Sequence, residues 1–448
     1  MKQEHSFLKT VCKIAIPVAL QSMLQASFSI VDQIMIGQLG SVSVAGVGFA
    51  GKFSSIYSVI VAAIGTVAGI MISQYLGQNN RKELRRSFYV NLLFALGLAA
   101  VFTGVSVCLP QTIIGMYTKD SLTIPVSAAY LKLIAWNFLP MAGATLLSTV
   151  FRCMEKAQLP LYAGIAAAVL NTGLNYLLIF GKLGFAPMGV EGAAIATLIS
   201  QLANLIIMLV MLWKHRSFLA KFPNGEAATK FDWKQYGAML LPILVCEFLW
   251  SLGENVYAAI YGHIGTDASA AMTLINPIQG LMIGALCGLS QAAGVIIGKR
   301  LGAKEYDDAY TSSKKLIRYG FAGSLALSVL IVVTAGYYVK IFQVEPAVRA
   351  LTRQILIAYT LIAPFKVANM ILGGGIIRSG GKTSYVMVID MIGTWGVGVP
   401  LGCIAAFALR LSIPYVYFLL SLEECVRFAI SVAVFRKKKW MQSLNTVS

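Results

Sequence analysis

A lone carboxylate inside an apolar stretch is the first residue of this chain that could do chemistry. Between Ser22 and Gly40 the sequence reads SMLQASFSIVDQIMIGQLG, long enough to lie in a bilayer, with Asp32 near its end. An ionised carboxylate at membrane depth costs about 2.5 to 3.5 kcal/mol on insertion scales, so its presence calls for something that offsets the cost. At helical spacing Ser22, Gln25, Ser29 and Asp32 fall at i, i+3, i+7 and i+10, a polar stripe rising about 15 Å along one face. Such a stripe faces water or a cation, and Ser22, Gln25 and Ser29 are therefore expected to line a substrate cavity.

Composition sets the class of protein that must hold this stripe. Of 448 residues, 58% are hydrophobic and only 12% charged, against roughly 25% charged in soluble domains. The expected fold is an all-α membrane protein. The net charge of +18 reads as basic flanks of apolar spans and not as a nucleic-acid surface, so no nucleic-acid partner is expected. The seven cysteines lack CxxC or Cys/His ligand spacing, which predicts neither a disulfide framework nor a metal site beyond a possible sodium ion. Lys2, Lys9 and Lys13 precede the first apolar run, but that run outlasts a signal peptide and is read as a retained span.

Apolar segments of spanning length recur about twelve times, from 11 to 36 through 413 to 435. Lys and Arg concentrate in alternate connections, for example Arg81, Lys82, Arg85 and Arg86, then Lys299, Arg300 and Lys304, and again at Arg436 to Lys439. The positive-inside rule places that side, with both termini, in the cytoplasm of a cell whose plasma (inner) membrane the chain spans. The polar stretch 214–235 sits halfway along the chain and reads as a cytoplasmic linker between an N-terminal lobe, 1–213, and a C-terminal lobe, 236–448.

A constant offset of 225 residues supports that division. It pairs Pro17 with Pro242, Gly37 with Gly262, Gly40 with Gly265, Ala45 with Ala270, Gly69 with Gly294, Leu76 with Leu301 and Gly77 with Gly302. Two six-helix lobes that enter the membrane in the same direction are related by a pseudo-two-fold axis along the membrane normal. Moved by 225, the first stripe becomes Glu247, Trp250, Glu254 and Tyr257, so the seventh span carries two acids one heptad apart. Trp250 and Tyr257 are then expected at a substrate cavity, and Glu247 and Glu254 as ion sites. Pro17 and Pro242 each remove a backbone hydrogen bond within a span and permit bending there.

With the repeat in place the chain resembles the MATE (multidrug and toxic compound extrusion) transporter family over essentially its whole length. The resemblance rests on IVDQIMIGQLG with SVAGVG, ISQYLGQNNRKELRRS, VLNTGLNYLLIFGKLG, MGVEGAAIATLISQ, LPILVCEFLWSLGENVYAAIYGHIGT and IIRSGGKTS with WGVGVPLG. It implies a secondary antiporter, not an enzyme, that exports small organic cations or amphipathic drugs against protons or sodium ions, needs no cofactor, and works as a monomer in the lipid bilayer by alternating access. It also implies that Asp32 is the ion and proton site of the N-terminal lobe, lined by Asn171, Asn175 and Thr197, and that Glu247 is its counterpart in the C-terminal lobe. Some members carry Asp where this chain has Asn175, which moves part of the coupling toward the other lobe. Asp390, in the eleventh span, is a third acid of that lobe.

Plainer roles compete for several of these residues. Asp390 could bridge to Lys366 or Arg378, and Lys366 could snorkel. Glu423, Glu424 and Arg427 are spaced to neutralise one another on one helix face. Trp136, Trp250 and Trp395 are as suited to packing as to ligand contact. A flippase or exporter of lipid-linked or polysaccharide precursors is the main rival function, and it calls for a strongly cationic cavity to hold pyrophosphate. An intramembrane transferase would need paired Asp or His/Asp motifs, which the chain lacks.

Overall fold

A computed structural model describes residues 2–184, 186–214, 231–341 and 344–444, and every regular element among them is helical. Among the described residues eleven helices are long and apolar enough to cross a membrane. They are α1 Lys2–Gly37, α2 Ser41–Gly77, α3 Arg81–Cys108, α4 Thr123–Cys153, α5 Gln158–Phe180, α6 Gly189–Lys214, α7 Trp233–Ile264, α8 Thr266–Gly302, α9 Tyr306–Tyr338, α10 Pro346–Ile377 and α11 Thr383–Ala408. The twelfth expected span is helical as two pieces, Ile413–Ser421 and Glu423–Arg436, together α12. At 9 and 14 residues neither piece alone reaches spanning length, and the break at Leu422 separates them. A short helix, Pro110–Gly115, adds an element with no counterpart in the sequence reading. Most of the expected linker 214–235 lies outside the described residues.

The chain forms two compact units. One comprises Leu20–Ile72 and Arg81–Phe231; the other comprises Met1–Ala19, Ser73–Asn80 and Asp232–Ser448. Pro17 lies inside α1, close to the point where that helix passes from one unit to the other, and Pro242 lies inside α7. In the first unit α5 ends on Gly181, whose φ of 65° is the left-handed conformation that closes a helix at little steric cost to glycine. Gly192 of α6 then approaches the backbone of Leu178 so closely that a Cβ there would lie 2.8 Å from its carbonyl. This contact sets the register of α6 against α5.

In the second unit the glycines of the repeat carry a helix crossing. A Cβ on Gly77 would overlap the carbonyl of Lys299, and one on Gly302 would overlap the carbonyl of Gln74. Since 74 plus 225 is 299, and 77 plus 225 is 302, the crossing repeats itself under the same offset. Ser73 and Gly298, again 225 apart, are also in contact. The C-terminal segment covers this point: Gln74 Nε2 donates to Ser379 O at 2.6 Å and Gln74 Oε1 accepts from Leu444 N at 2.7 Å. Trp440, fully buried, stacks on Phe435 at 5.6 Å. Gly302→Val is expected to lower the melting temperature of the solubilised protein sharply, because backbone cannot yield to a side chain. Gly237→Ala, where a Cβ meets nothing within 4 Å, is expected to leave it unchanged or raised. Equal melting temperatures in scanning fluorimetry would contradict the crossing.

Two features of α10 and α11 depart from a plain helix. Met370–Ile377 of α10, and Ile392–Gly398 and Ile404–Ala408 of α11, wind as wide π-helical turns, a form that recurs at functional sites. Ser290 Oγ donates to Met370 O at 2.7 Å and so satisfies one carbonyl of the α10 stretch. In α11 the widened stretch brings Gly393 against the Arg427 side chain and Gly398 against Tyr257 and Glu423. Both positions are glycine because a Cβ would occupy the space those side chains need.

Candidate functional site

The first unit holds Asp32 half-buried on α1, facing α5. Asn175 Nδ2 donates to Asp32 Oδ1 at 2.6 Å, and Asn171, one turn earlier on α5, faces the same carboxylate. A carboxylate only accepts, so the Asn171 amide is oriented with its nitrogen toward Asp32, 3.0 Å from Oδ1 and 3.2 Å from Oδ2. Thr197 of α6 sits 3.4 Å from the Asn171 amide. The tight contact between Gly192 and Leu178 is what brings this turn of α6 level with Asn171 and Asn175. Asn175, 1% exposed, keeps its Oδ1 without a partner among the described residues.

A cavity of about 180 Å³ opens onto this group. Its walls include Gln21, Gln25, Ser29 and Asp32 from α1, and Asn171 and Thr197 from α5 and α6; among the described residues no Lys or Arg lines it. Gln25 and Ser29 stand where the sequence stripe puts them. Ser22 does not line the cavity, and Gln21 does. The reason is helical phase: at about 100° per residue, position 21 lies ~20° from the direction of Asp32, whereas position 22 lies ~80° away.

The second unit places Glu247, Asp390 and Arg378 around a cavity of about 290 Å³. Arg378 Nη1 lies 3.7 Å from Glu247 Oε1, and Arg378 Nη2 contacts Cys246 Sγ at 3.5 Å. Cys246 Sγ in turn donates to Asp390 Oδ2 at 2.9 Å. Trp250 also lines this cavity, while Trp395 donates Nε1 to Leu249 O at 3.3 Å. Asp390 does not pair with Lys366 or Arg378, the bridges its sequence position suggested. Its cation is Arg427, at 3.9 Å, because α12 and not α10 presents a guanidinium to that face of α11.

Arg427 also lies 3.7 Å from Glu423 and 3.7 Å from Glu424, as their spacing on one helix face predicts. It donates to Thr394 Oγ1 as well. Tyr257 Oη donates to Glu423 Oε2 at 2.5 Å, and Asn369 Nδ2 donates to Glu424 Oε2 at 2.9 Å. Tyr257 and Glu254, the outer half of the second stripe, open onto a further cavity of about 400 Å³. Tyr261, Tyr359 and Tyr417 line that cavity too. They come from three different helices, and no pattern within one helix signals them.

Long apolar helices enclosing carboxylate-lined cavities in each of two units define a polytopic membrane transporter. The MatE family model matches residues 17–177 and 242–404, two matches whose starts lie 225 residues apart, and the chain belongs to this family. Among curated relatives, an "Uncharacterized transporter YisQ" of Bacillus subtilis is 24% identical over 95% of this chain and 93% of its own length. A "Probable multidrug resistance protein NorM" of Thermotoga maritima is 24% identical over 96% of this chain and 93% of its own. Among solved structures, that of a MATE protein in the bent conformation superposes with a TM-score of 0.86 at 17% identity, covering 96% of this chain and 95% of that one. The outward-facing structure of a multidrug resistance MATE family transporter of the MOP superfamily gives 0.86 at 16% identity, covering 96% of each chain. These superpositions show a common fold.

Proposed function

We propose that the chain is a secondary antiporter that exports cationic or amphipathic organic compounds in exchange for protons or sodium ions, by alternating access. The observation that carries the proposal is Asp32, held inside a membrane span by Asn171 and Asn175 in a cavity that no basic residue lines among the described residues. A proton, a sodium ion and an organic cation can each neutralise such a carboxylate, and none can do so while another is bound. Competition of that kind is sufficient to couple their fluxes. A hard cation such as sodium would take oxygens of Asp32 and Thr197, and those of Asn171 and Asn175 once their amides turn over from the orientation that donates to Asp32. Glu247, Glu254 and Asp390 are the corresponding acids of the second unit, and Pro17 and Pro242 are the points at which α1 and α7 bend.

The names of relatives in Thermotoga maritima and Bacillus subtilis, probable multidrug resistance proteins, agree with this reading. The flippase reading fits less well, since pyrophosphate needs a net cationic cavity. The basic connections favour a plasma-membrane protein with cytoplasmic termini. Ethidium efflux from proteoliposomes tests the proposal, with the proton and sodium gradients imposed separately. Efflux is expected under one of the two gradients and not in their absence, with about 1.36 kcal/mol of driving force per pH unit. Efflux that proceeds equally with no gradient, or under neither, would contradict antiport.

A further inference from the structure

Residues 437–444, which follow α12, form no helix, and side chains hold them in place instead. At Lys438 the backbone takes the left-handed conformation, with φ of 57°, and turns the chain back. Trp440 then completes an aromatic stack, with Tyr310 of α9 on Phe435 at 4.7 Å and Phe435 on Trp440 at 5.6 Å. Its Nε1 donates to Phe435 O at 3.1 Å. Trp440 O lies so close to Gly380, in the turn between α10 and α11, that a Cβ there would overlap it. That turn is itself tied down, since Thr383 Oγ1 donates to Met239 O of α7 at 2.8 Å. The seat is therefore built entirely within the second unit.

The seated segment grips the end of α2. Besides its bonds to Ser379 O and Leu444 N, the fully buried Gln74 donates Nε2 to Gln442 O at 3.2 Å. Four residues on, Gln78 Nε2 donates to Ser443 Oγ at 3.0 Å and to Leu444 O at 3.1 Å. Both glutamines stand just past the point where α2 leaves the first unit, between Ile72 and Ser73. The crossing of α2 and α8 has no side chain at Gly77 or Gly302 to hold it, so these hydrogen bonds do. Under the 225-residue offset Lys299 and Ala303 stand where α2 has Gln74 and Gln78, and the repeat therefore does not account for the grip. A buried carboxamide is costly unless bonded, and an apolar residue would fill its place without that cost. What the amide adds is a set of bonds that water can replace when the helix moves away.

We infer that residues 437–444 are a strap that fastens the end of α2 to the second unit, and that this strap must let go of Gln74 and Gln78 each time the basic side of the transporter opens. The inference rests on the alternating-access reading and adds to it a device that sets how readily one side opens. Gln74 is a positioning residue in this scheme and touches neither the transported ion nor the exported compound. The basic residues around the strap, Lys299, Arg300 and Lys437 to Lys439 among them, put it on the cytoplasmic face.

Hydrogen exchange read by mass spectrometry, on the full chain in lipid nanodiscs, compares the wild type with Gln74→Met. A second variant is a chain stopped after Trp440, which keeps the aromatic stack. Both are expected to raise exchange in peptides covering 73–80 and 298–303 by about tenfold or more, the size of two or more neutral hydrogen bonds. Both are also expected to lower exchange around 262–268, at the other end of α8, because opening one side closes the other. Gln442→Ala is expected to match the wild type, since Gln74 grips the main-chain carbonyl there. Exchange that rises beside the strap and stays unchanged around 262–268 would show that the segment is plain packing and would overturn the inference. Wild-type exchange in Gln74→Met would overturn it too. Ethidium efflux by the same proteins in proteoliposomes keeps the two readings apart. Gradient-driven efflux by the wild type without the paired change in the variants removes the strap and leaves antiport standing. The paired change with no gradient-driven efflux removes antiport and leaves the strap.

Discussion

Asp32→Asn is expected to abolish gradient-driven efflux while leaving the protein folded. The amide is isosteric with the carboxyl and keeps an oxygen for the Asn175 Nδ2 donor now 2.6 Å away. What it cannot do is change charge when a proton or sodium ion arrives. Removing a charge from membrane depth relieves an insertion cost of about 2.5 to 3.5 kcal/mol, so the variant is expected to be at least as stable as the wild type. Efflux in proteoliposomes, set beside the melting temperature of the same preparation, separates the two effects. Transport at the level of empty vesicles with an unchanged or raised melting temperature is the expected outcome. A variant that transports at the wild-type rate would remove Asp32 from the mechanism.

The second large effect is expected at Arg427. This guanidinium is 7% exposed and serves Asp390, Glu423 and Glu424 at 3.7 to 3.9 Å, with Thr394 as a further partner. Each of these acids has one other donor, from Cys246, Tyr257 and Asn369, and those neutral donors do not offset three negative charges. Breaking a buried ion pair by removing one partner costs roughly 3 to 5 kcal/mol, and here one substitution leaves three carboxylates unmatched. Arg427→Met is therefore expected to unfold far more readily in detergent. Adding Glu423→Gln and Glu424→Gln to it is expected to restore much of the loss, a coupling that a double-mutant cycle reads directly. If the neutralised triple variant melts no higher than Arg427→Met alone, the network is not what Arg427 stabilises.

Features fixed by the local chain were legible in the sequence. The polar stripe of α1 stood out because Gln25, Ser29 and Asp32 interrupt an apolar run, and its error of one residue, Ser22 for Gln21, is a phase error that a few tens of degrees produce. The 225-residue offset was legible because Gly77 and Gly302 have no side-chain alternative where helix backbones touch. The neutralisation of Glu423 and Glu424 by Arg427 followed from their spacing on one helix. Contacts that need three helices at once were not legible. Asp390 finds Arg427 and Cys246 because the start of α11 packs against both α12 and α7, and no pattern along the eleventh span encodes that packing. The spacing of Lys366 suggests a bridge or a snorkelling cation, and in the fold it borders two cavities with no partner within ion-pair distance among the described residues. The tyrosines that share its chamber lie at Tyr257, Tyr261, Tyr359 and Tyr417, too far apart along the chain for any window to gather them.

The central claim is exchange through Asp32, and reversed flux tests it most directly. Proteoliposomes are prepared with a fluorescent indicator of protons, or of sodium ions, sealed inside and no gradient of either ion. Ethidium is then added as the only gradient. The wild type is predicted to drive one of the two ions uphill in the direction opposite to the dye, and Asp32→Asn to drive neither. Dye that enters with no movement of either ion, or ion movement that survives in Asp32→Asn, would contradict the account.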